Sequence, residues 1–83
     1  MATYVAVIRK TPRTDYWVSI PDLPGCASNG KTIAAAKENF REALALHLES
    51  MHANGHAPAA PRTPEQFSVE DLEGLVESYL VTI

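Results

Sequence analysis

The chain has 83 residues, of which 46% are hydrophobic and 20% charged, and its formal net charge is −3. This length holds one small domain and excludes a multidomain enzyme, while the apolar content excludes a disordered chain. A single cysteine excludes a disulfide scaffold, and no apolar run approaches the roughly 18 residues of a membrane span. We expect a cytoplasmic location, because no basic region followed by an apolar stretch opens the sequence.

Three strand-like segments come first along the chain. Thr3 to Ile8 and Tyr16 to Ile20 are rich in β-branched and aromatic residues, and the polar turn between them predicts a hairpin. Pro21 to Gly25 predicts a rigid turn, because the two prolines fix φ and the glycine permits backbone angles that other residues resist. Cys26 to Asn29 leaves room for one short strand.

A long helix is predicted from Thr32, a suitable N-cap, to about Asn54, with Gly55 as the stop. Leu46 is expected to be exposed, because it lies nearly opposite the apolar stripe of this helix. The stripe that we expect to face the sheet consists of Ile33, Ala36, Phe40, Ala43, Leu44, His47 and Met51.

The remaining segments are shorter. His56 to Pro64 contains three prolines and predicts an extended linker. Ser68 begins a segment that resembles a helix start, and Gly74 would interrupt that helix early. Tyr79 to Ile83 predicts a last strand.

These elements predict an α+β fold, a two-layer sandwich in which one main helix covers one face of a small, mostly antiparallel sheet. Strand alternation places Val5 and Val7 on the opposite face, together with Trp17 of the second strand. No further segment is left to cover that face. We therefore expect an exposed apolar surface that binds a partner or a second copy of the chain.

Few residues suggest catalysis or metal binding. His52 and His56 have helical spacing, but Gly55 is expected to end the helix before His56, and no cysteine or acid lies at ligand spacing nearby. Cys26 is interpreted as a small buried residue, because a nucleophile would need a base held by a third group. We expect no catalytic residue, no cofactor and no metal.

Charge is unevenly distributed along the chain. The first thirteen residues contain three basic residues, Arg9, Lys10 and Arg13, and no acidic one. From residue 64 onward there is no basic residue, and the acidic ones are Glu65, Glu70, Asp71, Glu73 and Glu77. This segment is either a solvated face or a surface for a basic partner.

The order of these motifs resembles the HicB family of antitoxins from bacterial and archaeal toxin–antitoxin pairs. The similarity rests on a strand that leads into PDLPGC (residues 21–26), a stretch ending in Gly30 and Thr32, and the helix elements at Glu42-Ala43-Leu44. The linker residues Ala60-Pro61 and Thr63-Pro64 extend it. The resemblance implies a partial RNase H-like fold of β-β-β-α-β order, without the acidic catalytic set of true nucleases.

The resemblance also implies a partner and an assembly. The partner would be HicA, a small basic toxin that cleaves mRNA, whose active site the antitoxin covers, and the assembly would be a homodimer or homotetramer. We expect one HicB-like domain over residues 1–83, without the C-terminal DNA-binding module that many HicB antitoxins carry. The expected partner-binding residues are the acids Glu70, Asp71, Glu73 and Glu77 and the apolar Trp17, Val5 and Val7.

Three alternatives remain open. The chain is a nucleic-acid-binding transcriptional regulator if Arg9, Lys10, Arg13 and Lys31 contact phosphates, although ten acidic residues oppose seven basic ones. It is an orphan homo-oligomeric domain if no toxin partner exists. It is a small enzyme if Cys26 or a histidine carries an activity.

Overall fold

The structure is a computed structural model and describes residues 2–10, 12–13, 15–62, 66–67 and 74–83. The strand order in the single sheet is β3-β2-β1-β4, and every neighbouring pair is antiparallel. This confirms the predicted α+β class, with one main helix on a four-stranded sheet. The elements in chain order are β1 (Thr3–Arg9), β2 (Tyr16–Ser19), β3 (Ala27–Gly30), α1 (Ile33–Ala53) and β4 (Leu75–Thr82).

β1 is an inner strand, with β2 on one side and β4 on the other. Its five central residues, 4 to 8, are all buried. The register pairs Val5 with Leu80, and it pairs Val7 with both Ser19 and Ser78. Just outside the strands, the backbones of residues 2 and 83 exchange two hydrogen bonds, of 3.1 and 2.9 Å. The first and last strands therefore pair from end to end, with one register shift between Ile8 and Arg9 that leaves Val76 outside the pairing.

α1 packs on one face of the sheet, mainly over β3 and β2. Thr32 caps it as predicted, since its hydroxyl accepts a hydrogen bond of 3.0 Å from the Ala35 backbone N–H. The core beneath α1 joins Ala36, Phe40 and Leu44 to alternate residues of β1 and β2, which confirms these three members of the predicted stripe. Ile33 packs against this core as predicted, and Leu48 does so without having been predicted. No helix among the described residues combines the length and apolar character that a bilayer span requires.

The prediction of a bare second face is wrong for its two valines. Val5 is 6% exposed and Val7 is fully buried, although neither belongs to the cluster beneath α1. β1 has a neighbouring strand on each side, and the chain itself closes both valines off from solvent. Trp17, on the shorter strand β2, is 43% exposed and keeps the accessibility that the sequence predicts.

β4 begins earlier than predicted. Gly74 has a φ of 73°, in the left-handed region that favours glycine, and the strand starts at the next residue. Glu77 and Ser78 are accommodated because β4 is an edge strand with solvent beside it. The short helix predicted from Ser68 lies outside the described residues.

Gly30, the last residue of β3, lies close against the first turn of α1. A Cβ at this position would lie 2.5 Å from the backbone nitrogen of Ala36 and 2.8 Å from the carbonyl carbon of Ala35. These are backbone atoms of a helix that is anchored by its cap and its core. The absence of a side chain at Gly30 therefore sets the distance between the helix and the sheet.

We expect Gly30→Ala to lower the free energy of unfolding by about 3 kcal/mol, because the added methyl forces strand and helix apart. Gly55→Ala is the matched control. Its φ of 74° is also unfavourable for alanine, but its Cβ would meet open space, so its cost is about 1 kcal/mol. Urea denaturation measures both variants. Equal losses would show that crowding at Gly30 does not govern the packing.

Candidate functional site

We define the second face as the side of the sheet turned away from α1. At one end it carries a row of three solvent-accessible side chains. Trp17 of β2 lies opposite Arg9 of β1, and Leu75 of β4 lies opposite Arg9 on the other side. Leu75 is 38% exposed. Arg9 Nη1 donates a hydrogen bond of 3.4 Å to the Ser19 hydroxyl. The row therefore offers an aromatic ring, a guanidinium group and an aliphatic side chain to a partner.

Glu77 is the predicted acid whose position the structure describes, since Glu70, Asp71 and Glu73 lie outside the described residues. Its carboxylate is 2.9 Å from Lys37 Nζ of α1, at a half-exposed position. The register pairs Glu77 with Ile8, a residue of the core beneath the helix. Glu77 and Trp17 therefore lie on opposite faces of the sheet and do not form one site.

A groove between α1 and β4 joins these charges to an aromatic ring. Lys37 Nζ lies 4.7 Å from the centre of the Tyr79 ring, in cation–π contact, while it also pairs with Glu77. Arg41 and Leu80 line the same groove. Burial raises the pKa of the Tyr79 hydroxyl above its ordinary value. Sequence reasoning missed this groove because it began the last strand at Tyr79 and so separated Glu77 from it.

The PDLPGC turn also anchors the linker that follows α1. The Asp22 carboxylate accepts hydrogen bonds from the Arg62 backbone N–H, at 2.8 Å, and from Arg62 Nε, at 2.5 Å. The Tyr4 hydroxyl donates one to the Ala59 carbonyl. The Arg62 guanidinium lies 4.4 Å from the centre of the Phe67 ring. Asp22 therefore holds the chain where it leaves the helix on its way to β4.

Cys26 and His47 line the same shallow cleft beside β3. The Cys26 side chain is buried in the core, as predicted, and this burial raises the pKa of its thiol. A nucleophilic cysteine needs the thiolate form, which a raised pKa disfavours. The proximity of the two side chains therefore does not make a catalytic pair.

The other two histidines do not form a metal site either. α1 ends at Ala53, so His56 lies beyond the helix that was needed to align it with His52, and both are exposed. Within residues 2–10, 12–13, 15–62, 66–67 and 74–83, no three histidine, cysteine or acidic side chains come together at a distance that suits a metal ion.

The four cations of the nucleic-acid alternative lie at one end of the sheet. Arg9 ends β1, and Lys31 follows β3, whose last residue pairs with Tyr16 at the start of β2. Lys10 Nζ lies 5.7 Å from the centre of the Tyr16 ring. Arg13 is exposed in the intervening turn. Among the described residues, this end of the sheet therefore carries four cations, with Asp15 beside them immediately before β2.

We expect the free energy of unfolding to fall as the pH rises above about 9, the ordinary pKa of a thiol. The unfolded chain loses the Cys26 proton there, whereas the buried thiol keeps it, so ionisation favours unfolding. The contribution is complete below that pH and disappears as the pH passes the raised pKa of the folded state. Cys26→Ala should show a shallower fall in urea denaturation. An unchanged slope would contradict the raised thiol pKa.

Comparison with known proteins places this geometry in a family. A family model described as "HicB_like antitoxin of bacterial toxin-antitoxin system" matches residues 4–82. The crystal structure of the N-terminal domain of Burkholderia pseudomallei antitoxin HicB is 30% identical, with a TM-score of 0.76, over 98% of this chain and 96% of that one. A chain of the HicA3 and HicB3 toxin-antitoxin complex is 30% identical, with a TM-score of 0.74, over 96% and 95%.

One curated relative matches over a shorter stretch. An uncharacterized 14.9 kDa protein from the rep-hol intergenic region of Haemophilus phage HP1 is 50% identical over 36 residues. That stretch covers 43% of this chain and 27% of the phage protein. The match therefore spans about a quarter of that relative's length.

Proposed function

This chain belongs to the HicB-like antitoxin family, and from that premise we propose that it binds a small basic, mRNA-cleaving toxin of the HicA type. Binding neutralises the toxin by covering its active site. The observation that carries the proposal is the match of 96% of this chain to a chain of the HicA3 and HicB3 toxin-antitoxin complex. In this role the protein is a binding module and not an enzyme.

Charge supports a basic partner. The chain carries ten acidic and seven basic residues. The segment from residue 64 onward contains acidic residues and no basic one. Lys37 neutralises part of the Glu77 charge, so we assign the main attraction to Glu70, Asp71 and Glu73. Charges of this kind steer the encounter and raise the association rate more than they hold the complex together.

Slow dissociation of the complex then depends mainly on apolar contact. Trp17 and Leu75 are the exposed apolar residues of the row on the second face, and we assign this contact to them. Val5 and Val7 are closed off from solvent and are not part of the proposed contact. Their burial fixes β1 between β2 and β4, the strands that present Trp17 and Leu75.

The experiment that tests the proposal has two steps. The tagged protein is first used to capture partners from an extract of its own cells, and a stoichiometric small basic protein is expected. That protein is then purified and incubated with mRNA, with and without the antitoxin. RNA cleavage that stops when the antitoxin is added supports neutralisation. Capture of nucleic acid instead, or a captured protein that does not cleave RNA, contradicts it.

We expect the triple variant Glu70→Lys, Asp71→Lys, Glu73→Lys to weaken binding of the captured toxin at low salt by roughly tenfold or more, because attraction becomes repulsion. The matched control reverses three acids elsewhere, Asp15, Glu42 and Glu49, and changes the net charge equally. Titration calorimetry at two salt concentrations measures both. An equal loss in both variants would assign the effect to net charge and not to the acidic segment.

We also propose that the protein forms a homodimer or homotetramer. A domain of this length buries only about 60–65% of the surface that its unfolded chain exposes, so association adds stability that a small core lacks.

A further inference from the structure

The outer edge of β4 is a long strand edge without a partner in the described part of the chain, where β4 pairs with β1 alone. β4 has eight residues, whereas β3 at the other edge of the sheet has four. Val76 and Leu80 are 49% and 67% exposed. The strand contains no proline and no lysine, the residues that commonly block unwanted strand pairing.

The hydrogen bonds between Ala2 and Ile83 show which backbone groups of β4 point toward this edge. Ala2 and Ile83 each donate to the other's carbonyl, so they form a hydrogen-bonded pair. In an antiparallel ladder such pairs alternate with non-hydrogen-bonded ones. The continuous register then directs the N–H and C=O groups of alternate residues toward β1, ending at Glu77. The groups directed to the free edge are those of Ser78, Leu80 and Thr82.

The edge is complementary to a second copy of itself. When two β4 strands run antiparallel about a twofold axis at Ser78, each Ser78 exchanges hydrogen bonds with the partner's Ser78. Val76, which lies at the register shift between Ile8 and Arg9, then comes close to the partner's Leu80, so the two exposed apolar side chains of each strand can cover each other. The axis stands perpendicular to the sheet, so both α1 helices lie on the same side.

The charges beside the edge select this register. Glu77 lies opposite the partner's Tyr79, and the partner's Lys37 covers that ring at 4.7 Å. In this arrangement each Lys37 lies near two carboxylates. One is Glu77 of the same chain, at 2.9 Å, and the other is the partner's Glu77. An axis at Tyr79 would instead bring the two Lys37 ammonium groups together and place Glu77 opposite the partner's Val81. Repulsion and a mismatched pair disfavour that arrangement.

The same charges indicate a second copy and not a basic protein as the occupant. Glu77 is the one charged residue of β4, and Lys37 already pairs with it. An apolar edge with its single acid neutralised offers little attraction to a cationic partner. It offers an identical strand both backbone and side-chain complementarity.

We propose that two copies of this chain associate through the outer edges of β4, antiparallel and centred on Ser78, so that two four-stranded sheets become one of eight strands. The inference rests on the self-association proposed above and gives it a surface. It does not use the acidic segment or Trp17, so it stands or falls separately from toxin binding.

The test compares Leu80→Lys with Leu46→Lys. Both leucines are 67% exposed, but Leu80 lies on β4 and Leu46 on the outward side of α1. Sedimentation equilibrium is expected to give a dimer of 9.0 kDa chains for the unmodified protein. Leu80→Lys should raise the dimer dissociation constant by roughly tenfold or more, because both apolar cross-strand pairs are lost and charge enters the edge. Leu46→Lys should leave that constant unchanged.

Cysteine cross-linking tests the register. Ser78→Cys places two thiols on directly opposite residues, with Cα atoms about 5.5 Å apart, so a short bifunctional maleimide should give a covalent dimer. Thr82→Cys is the control. It lies on the same edge four residues from the axis and should not cross-link. The native Cys26 is buried and does not compete.

A protein that remains monomeric at all concentrations overturns the proposal, and so does a dimer that both lysine variants weaken equally. A dimer that is sensitive to Leu80→Lys but cross-links better through Thr82→Cys overturns the Ser78 register. Toxin binding is measured on the unmodified protein and on Leu80→Lys, which should retain it. An unmodified protein that dimerises but binds no toxin contradicts the proposed neutralisation alone, whereas an unmodified protein that binds toxin as a monomer contradicts the dimer alone.

Discussion

The pairing of the first strand with the last is the interaction on which the rest of this structure depends. β1 has five consecutive buried residues and needs hydrogen-bond partners on both sides, because an unpaired backbone group is costly once it is buried. β2 supplies one side locally, through a hairpin. β4 supplies the other only after the chain has passed through α1 and the linker. The Asp22–Arg62 contact matters for this reason, since it holds the linker in place while the distant strand returns.

This dependence explains which parts of the fold were predictable. The first three strands, the Thr32 cap and the buried helix positions Phe40 and Leu44 follow from patterns within a few residues, and the structure confirms them. The start of β4 does not follow from such patterns. Glu77 and Ser78 belong to a strand only because β1 is available to pair with them. The groove between α1 and β4 was missed for the same reason.

The two valines of β1 show why alternation alone misplaces a surface. Alternation assigns Val5 and Val7 to the side away from the helix, and the burial pattern agrees with that assignment. Exposure, however, depends on what the rest of the chain covers. The run from Tyr4 to Ile8 is apolar on both faces, which is typical of a strand buried on both sides. That signal was present in the sequence and carried more information about exposure than the alternation did.

Two neighbouring segments of the chain, the one before Gly74 and β4 after it, therefore suit different partners. The segment before Gly74 is acidic, and in the proposed function it attracts a basic toxin at a distance and so accelerates the encounter. The strand after it is nearly neutral, because Lys37 pairs with Glu77, and its outer edge matches a strand of the same sequence. Alternate residues of β4 direct their backbone groups to β1 and close the fold. The residues between them direct their backbone groups to the free edge, where a second copy can pair with them. The proposed self-association would thus stabilise a small domain with a thin core without using Trp17, Leu75 or the acidic segment, the residues proposed for a different partner.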